Sequence, residues 1–239
     1  MHSPRLVIED NAEAVAHRAA EMIRAAHREC HEQRRRFHFV LAGGSTPLPV
    51  YRELVRCTRE SALDWTDTVF YFGDERCVPP DHPDSNYKMA SESLLLPLGI
   101  CPEAVRRMEA ERDDTERAVA EYESLLPGTF DLILLGMGDD GHTLSLFPGS
   151  PILHETRRLV AMTDSSPKPP RLRMTLTPAA LDRAARRLVI VTGTAKAGML
   201  ARVLATPADP PRFPIQLALD GTWMLDRDAA ACLPEQGKP

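Results

Sequence analysis

The apolar run Leu132–Leu135, entered from Asp131, passes directly into Gly136-Met137-Gly138-Asp139-Asp140-Gly141-His142-Thr143. Four successive apolar residues read as a buried strand, and the glycines behind it admit positive φ and close backbone approach. The pattern recurs. Phe37–Leu41 runs into Ala42-Gly43-Gly44-Ser45-Thr46-Pro47, Thr68–Phe72 into Gly73-Asp74-Glu75-Arg76, and Leu188–Thr192 into Gly193-Thr194-Ala195-Lys196-Ala197. Further strands are expected over Arg5–Ile8, Asp131–Leu135, Arg158–Met162 and Ile215–Leu219. A long helix is expected from Asn11 to about Arg35, where Ala14, Val15, Ala19, Met22 and Ile23 recur at helical spacing. Ser85–Leu96, Thr115–Leu126, Ala179–Arg187 and Ala195–Ala205 read as further helices. Strands alternating with helices predict an α/β fold: a doubly wound, mostly parallel, Rossmann-like open sheet with helices on both faces.

With 239 residues, 43% of them hydrophobic, the chain is expected to form a single domain spanning 1–239, with a frayed tail after about residue 233. There is no internal repeat and no long linker. A net charge of −5 argues against a broad nucleic-acid face but leaves room for a local cationic pocket. No apolar run is long enough for a transmembrane helix, and the amino-terminal Leu6-Val7-Ile8 is too short for the core of a signal peptide. Five scattered cysteines without a Cys-x-x-Cys pair point to reduced thiols in the cytoplasm and away from a zinc ribbon.

In an open parallel sheet, ligands bind in the crevice at the carboxyl ends of the strands. A histidine delivered there, as His142 is, stands where a general base belongs, although a plain turn with a solvated histidine also fits this stretch. In the second glycine turn, Ser45 or Thr46 is placed to cap a helix with Pro47 at its first position, and the free N–H groups there make an anion cradle. The turn matches neither a Walker A sequence nor Gly-x-Gly-x-x-Gly, so it points to a phosphate monoester rather than a nucleotide. A well-capped helix without ligand fits equally. Asp74 and Arg76 follow their strand as a proton carrier or hydroxyl holder and an anion partner, or as a solvated ion pair. Lys196, near a helix start where the macrodipole disfavours a cation, and Arg173, behind the turn-rich loop Thr163–Leu172 that is expected to be mobile, complete a phosphate clamp or are plain surface charges. His27 and His31, one helical turn apart without the zincin glutamate, are expected on a solvated face. Arg34-Arg35-Arg36 suits a helix carboxyl end. No Gly-x-Ser-x-Gly elbow is present.

Taken in order, several blocks resemble the 6-phosphogluconolactonase family over nearly the whole chain. They are Ala42–Pro47, Gly73-Asp74-Glu75-Arg76-Cys77-Val78-Pro79, Asp81–Tyr87, Gly136–Thr143, Leu146-Phe147-Pro148-Gly149, Ser166–Pro170 and Arg173–Thr177. The chain departs from the family at Asp139, where proline is usual, and at Leu144, where alanine is usual; both flank His142 and Asp140 without replacing them. The resemblance implies a sugar-phosphate isomerase/CoA-transferase-like fold and a hydrolase using no metal and no cofactor. It makes His142 the general base with Asp140 its neighbour. It makes Gly43, Gly44, Ser45, Thr46, Arg173 and Lys196 substrate-binding, chiefly at the phosphate, and places Asp74 and Arg76 along the sugar and carboxyl end as catalytic residues.

The implied reaction is hydrolysis of 6-phospho-D-glucono-1,5-lactone in the oxidative pentose phosphate pathway. His142 would draw a proton from water, while Arg76 or N–H groups near Gly138–Gly141 would receive the oxyanion. The partners implied are a small sugar phosphate, no nucleic acid and no membrane, with the chain a cytoplasmic monomer or weak homodimer. Two alternatives remain. Glucosamine-6-phosphate deaminases share Asp74, Asp140, Gly141 and His142 but carry a glutamate where this chain has Phe147, and a tyrosine where it has Arg76. A non-catalytic sugar-phosphate sensor would keep the cradle and lose the base.

Overall fold

The computed structural model describes residues 3–234. In chain order the elements are β1 (Arg5–Glu9), α1 (Ala12–Glu32), β2 (Phe37–Leu41), α2 (Leu48–Ser61), β3 (Thr68–Phe72), β4 (Asp74–Arg76), α3 (Asn86–Ala90), β5 (Val105–Arg106), α4 (Thr115–Ser124), β6 (Leu132–Gly136), β7 (Val160–Thr163), β8 (Arg173–Leu176), α5 (Pro178–Leu181), β9 (Arg187–Val191), α6 (Ala197–Ala205), β10 (Thr222–Asp226) and α7 (Arg227–Ala230). Seven strands form one sheet in the order β1-β10-β9-β6-β2-β3-β5, every neighbour parallel. From β2 the chain winds through β3 to β5 on one side; from β6 it winds through β9 to β10 on the other. The winding reverses between β2 and β6, which pair at Phe39 with Leu132 and Val40 with Ile133. Loops leaving those two carboxyl ends diverge, and the crevice between them is where such sheets take their ligands.

The strands are apolar because both faces are covered. Phe39, Val40, Leu41, Phe70, Phe72 and Leu132–Leu135 are all buried. On α1, Asn11 caps the first turn by accepting the Ala14 N–H at 2.9 Å, and Val15, Ala19, Ile23, Ala26 and Cys30 face the core. A smaller antiparallel sheet, ordered β4-β8-β7, stands beside the crevice.

Several elements differ from expectation. Ile215–Leu219 is no strand: Pro214–Ala218 form a 3-10 turn. Pro214 lacks the N–H a ladder needs, and the Gln216 amide donates to the Val203 and Thr206 carbonyls. The last strand is β10, with Trp223, Met224 and Leu225 buried. The strand expected over Arg158–Met162 is β7, which belongs to the small sheet rather than the parallel one. The helix expected over Ala179–Arg187 is the single turn α5, and the Ser85–Leu96 helix is α3 followed by a π-helical turn over Ser91–Leu95. The first helix stops at Glu32. Arg34 takes a positive φ, and Arg35 reaches the Asp131 carboxylate. His27 is not solvated: it is buried against Phe37 and Trp65, while His31 is exposed. The stripe Ile23, Ala26, Cys30 simply continues through it. The expected frayed tail lies, beyond Pro234, outside the described residues.

Candidate active site

The loop after β6 is a tight knot. The Gly138 N–H donates to the His142 carbonyl at 2.8 Å, and the Gly141 N–H to the Gly138 carbonyl at 3.1 Å. Thr143 Oγ1 donates to the Gly136 carbonyl at 2.9 Å. This folding brings the His142 ring over the Gly138 backbone so closely that a Cβ on Gly138 would lie 2.0 Å from His142 Nδ1. Only glycine fits there. His142 Nδ1 sits 2.5 Å from Asp140 Oδ1, and the same oxygen accepts the His142 main-chain N–H at 3.1 Å. Partial burial pushes the Asp140 carboxyl up, but the His142 hydrogen bonds and charge outweigh it and hold the group at about 2. An ionised Asp140 fixes the proton on Nδ1 and leaves Nε2 as an acceptor. The other side of the ring meets Phe147, centroid to centroid 4.7 Å.

The loop after β2 faces it. Gly43 lies against Asn86, where an added Cβ would come within 2.2 Å of Oδ1, and Gly44 has φ +81. The expected hydroxyl cap is absent: neither Ser45 nor Thr46 caps α2 with its side chain, Pro47 holds the cap position, and the Ser45 carbonyl accepts the Leu48 N–H at 3.3 Å. The hydroxyls are thereby left out of the helix's own bonding.

The third wall is the small sheet. Asp74, Glu75 and Arg76 are strand β4, not the loop the sequence suggests, and they pair with β8 so that Arg76 stands opposite Arg173. Like charges directly across a ladder destabilise it, unless an anion lies between them. Burial pulls the Arg173 guanidinium down from its usual value. Its Nε donates to the Pro170 carbonyl at 2.8 Å and one Nη to Ser166 Oγ at 3.1 Å, which ties the 163–172 loop to β8.

Gly43, Gly44, Thr46, Asp74, Arg76, Gly138, His142 and Arg173 line one cavity of about 130 Å³, together with Asn86, Met137 and Leu144. Asp140 stands behind His142. Ser45 is exposed at the tip of its turn, and Lys196 is held by Asp139, 2.5 Å away; neither lines the cavity. Of the N–H groups near Gly138–Gly141 expected as oxyanion donors, those of Gly138 and Gly141 are spent inside their own loop. Arg76 keeps a buried Nε without partner among the described residues and donates one Nη to the Asp84 carbonyl at 2.5 Å. A bigger hollow, about 890 Å³ between α2 and α3, shares no lining residue with this cavity and is lined by Arg52, Val55, Met89 and Pro97 among others. The one grouping of metal-type ligands among the described residues, His17, Glu53 and Cys57, lies on α1 and α2, with Arg56 already on Glu53 at 2.6 Å.

Four residues that shape this site are not among the site residues expected from the sequence. Ser145, fully buried, donates to Asp74 Oδ2 at 2.5 Å, and Asn86 donates to Asp74 Oδ1 at 3.0 Å; both carboxylate oxygens are thus fixed. Leu144, just before Ser145, holds φ +53, a strain of roughly 1–3 kcal/mol for a residue with a side chain. Glu75 is buried and accepts from the Arg76, Asn86 and Tyr87 N–H groups and from Ser85 Oγ. Burial pushes its carboxyl up, and these donors oppose that. Alternation along β4 then turns Asp74 and Arg76 toward the crevice.

Residues 10–225 match the family described as glucosamine-6-phosphate isomerases/6-phosphogluconolactonase. The 6-phosphogluconolactonase of Mycobacterium leprae is 38% identical over 216 residues, 84% of this chain and 87% of its own length. The solved structure of 6-phosphogluconolactonase from Trypanosoma brucei superposes with a TM-score of 0.84 at 29% identity, covering 98% of this chain and all of that one. A monomeric glucosamine-6-phosphate deaminase superposes with a TM-score of 0.83 at 23% identity, over 95% of this chain and 99% of that one. At that identity the likeness speaks for the fold alone.

Proposed function

This chain belongs to the glucosamine-6-phosphate isomerase/6-phosphogluconolactonase family and hydrolyses 6-phospho-D-glucono-1,5-lactone to 6-phospho-D-gluconate; we propose that it does so with a water activated by His142. The observation that carries this mechanism is a single shared cavity: His142, its Nδ1 bound by Asp140, lines the same space as Arg76 and Arg173, which stand opposite each other on the β4–β8 ladder.

His142 Nε2 takes a proton from water as its oxygen attacks C1. The carbonyl oxygen becomes an oxyanion and is met by Arg76, whose buried Nε has no partner among the described residues. Collapse breaks the bond from C1 to the ring oxygen, and the imidazolium returns its proton to that oxygen. Asp140 stabilises the imidazolium between these steps. The phosphate, remote from C1, is gripped by the Gly43–Thr46 turn, Arg173 and Lys196, which orients the ring before attack. Asp74, clamped by Ser145 and Asn86, holds a sugar hydroxyl. A lactone is an activated ester, so this route calls on no covalent nucleophile. The reading includes a cytoplasmic enzyme acting as a monomer or weak homodimer. Its thiols are free, and no described helix is long and apolar enough to cross a membrane.

Phe147 favours hydrolysis over deamination. It lays an apolar ring on His142, where ring opening of an amino sugar would need a second acidic group. Freshly generated 6-phosphogluconolactone should be hydrolysed well above its spontaneous rate, with no ammonia released from glucosamine-6-phosphate. Ammonia release without lactone turnover would reverse the assignment.

A further inference from the structure

Lys196 is not free to meet an anion. Its Nζ lies 2.5 Å from Asp139 Oδ1, and Lys168 Nζ lies 3.5 Å from Asp139 Oδ2. The three residues come from three separate connections. Asp139 follows Gly138 in the loop after β6, Lys168 sits between β7 and β8, and Lys196 ends the turn after β9. They converge beside the cavity that Gly138 lines. The Lys196 side chain is only 20% exposed, whereas that of Asp139 is 65% exposed. Lys196 also holds the cap position of α6, where the helix dipole disfavours a cation and a neighbouring anion offsets the penalty. The Lys196 hydrogen bond and charge keep the Asp139 carboxyl below its usual range, so it is anionic wherever the enzyme works.

We propose that Asp139 is an internal stand-in for the substrate's phosphate, occupying Lys196 in the free enzyme and giving way when the phosphate arrives. This rests on the reading of Lys196 as a phosphate ligand. A carboxylate brings one negative charge; a phosphate monoester brings nearly two and a third oxygen. Exchange therefore favours the dianion and disfavours a lactone without phosphate, which has nothing to displace Asp139 with. Asp139 acts through Lys196 and makes no bond to the imidazole, so it is a positioning residue that governs binding rather than turnover. In the free enzyme it also keeps Lys196 from binding stray monoanions.

The test compares Asp139→Asn, Lys196→Ala and the double variant, measuring KM and kcat for 6-phosphogluconolactone and the inhibition constant of 6-phosphogluconate. An exposed ion pair is worth a few tenths to one kcal/mol, so Asp139→Asn should lower KM and the inhibition constant by about two- to fivefold, with kcat held. Lys196→Ala should raise KM, and Asp139→Asn on that background should give no gain. If Asp139→Asn raises KM or leaves it unmoved while Lys196→Ala raises it, the stand-in is overturned and the lysine keeps its role. If Lys196→Ala leaves KM unmoved, the reading of Lys196 itself falls and takes the proposal with it.

Discussion

At its amino end β2 begins with Phe37 in a knot of rings, its centroid 5.6 Å from His27, which in turn lies 4.6 Å from Trp65. At its carboxyl end, Leu41 hands over to Ala42, Gly43 and Gly44, and the chain opens onto charged groups from three other connections. The first end is close-packed and apolar, down to a histidine whose two nitrogens have no partner among the described residues. The second keeps its histidine bonded on one side and open on the other, beside a backbone residue held at positive φ. The same strand thus carries packed core at one end and, on the reading proposed above, chemistry at the other. Two histidines of identical intrinsic chemistry are set apart by what surrounds them: His27 lies without a partner in the apolar core, and His142 is held by Asp140 at the rim of a cavity.

Substitutions at the reactive end should strike activity and spare stability. His142→Ala should lower kcat by about 10²–10⁴-fold, the usual contribution of a general base, with KM nearly unchanged and the thermal midpoint close to that of the parent. Turnover within a fewfold of the parent would break the contrast at its strongest point. Arg173→Ala should raise KM by about tenfold or more, as expected for lost charge-assisted hydrogen bonds. Arg173→Lys should recover only part, because the fork that also holds Pro170 and Ser166 is gone. A KM insensitive to both would remove Arg173 from the binding site.

How much of this contrast the residues announce in advance differs between the two ends. The carboxyl end is legible as a place because its turns and polar residues are written in local words. A strand-length apolar run, glycines and a histidine in immediate succession place His142, and the blocks at Gly43–Thr46 and Asp74–Arg76 follow the same grammar. What that grammar omits is pairing between distant segments. Nothing near Asp74 shows that β4 will ladder with β8 and set Arg76 against Arg173, or that Ser145, 71 residues away, will fix its carboxylate. Lys196 reads as a cation at a helix start, which it is, but its hold on Asp139 belongs to the fold. The amino end was misread for a related reason. His27 and His31 stand one turn apart as if on a common face, yet burial there depends on Phe37 and Trp65, both supplied from elsewhere. Farther along the chain, Ile215–Leu219 has the composition of a strand, but Pro214 and the buried Gln216 amide turn it into a 3-10 segment, while Thr222–Asp226 takes the sheet position between β1 and β9.

The smallest effect concerns the inert histidine. His27→Leu should leave kcat/KM unchanged and raise unfolding stability by about 1 kcal/mol, because a buried polar group without partners is replaced by an apolar one. Burial above all, with the charges of His31 and Arg28 adding to it and those of Asp64 and Asp67 opposing it, holds His27 below its ordinary value near 6.5. The folded chain therefore keeps it neutral while the unfolded chain takes up a proton, and stability falls as the pH drops below about 6.5. That portion of the acid-side loss should vanish in His27→Leu. Thermal midpoints of the two proteins from pH 7.5 to 5.5 measure it, and parallel curves would mean His27 titrates in the folded state after all.

The most direct test of the account is a crystal structure with 6-phosphogluconate bound. The C1 carboxylate should lie within one water or one hydrogen bond of His142 Nε2, with the phosphate between the Gly43–Thr46 turn and Arg173. A product bound the other way round, or with C1 nowhere near the imidazole, would contradict it.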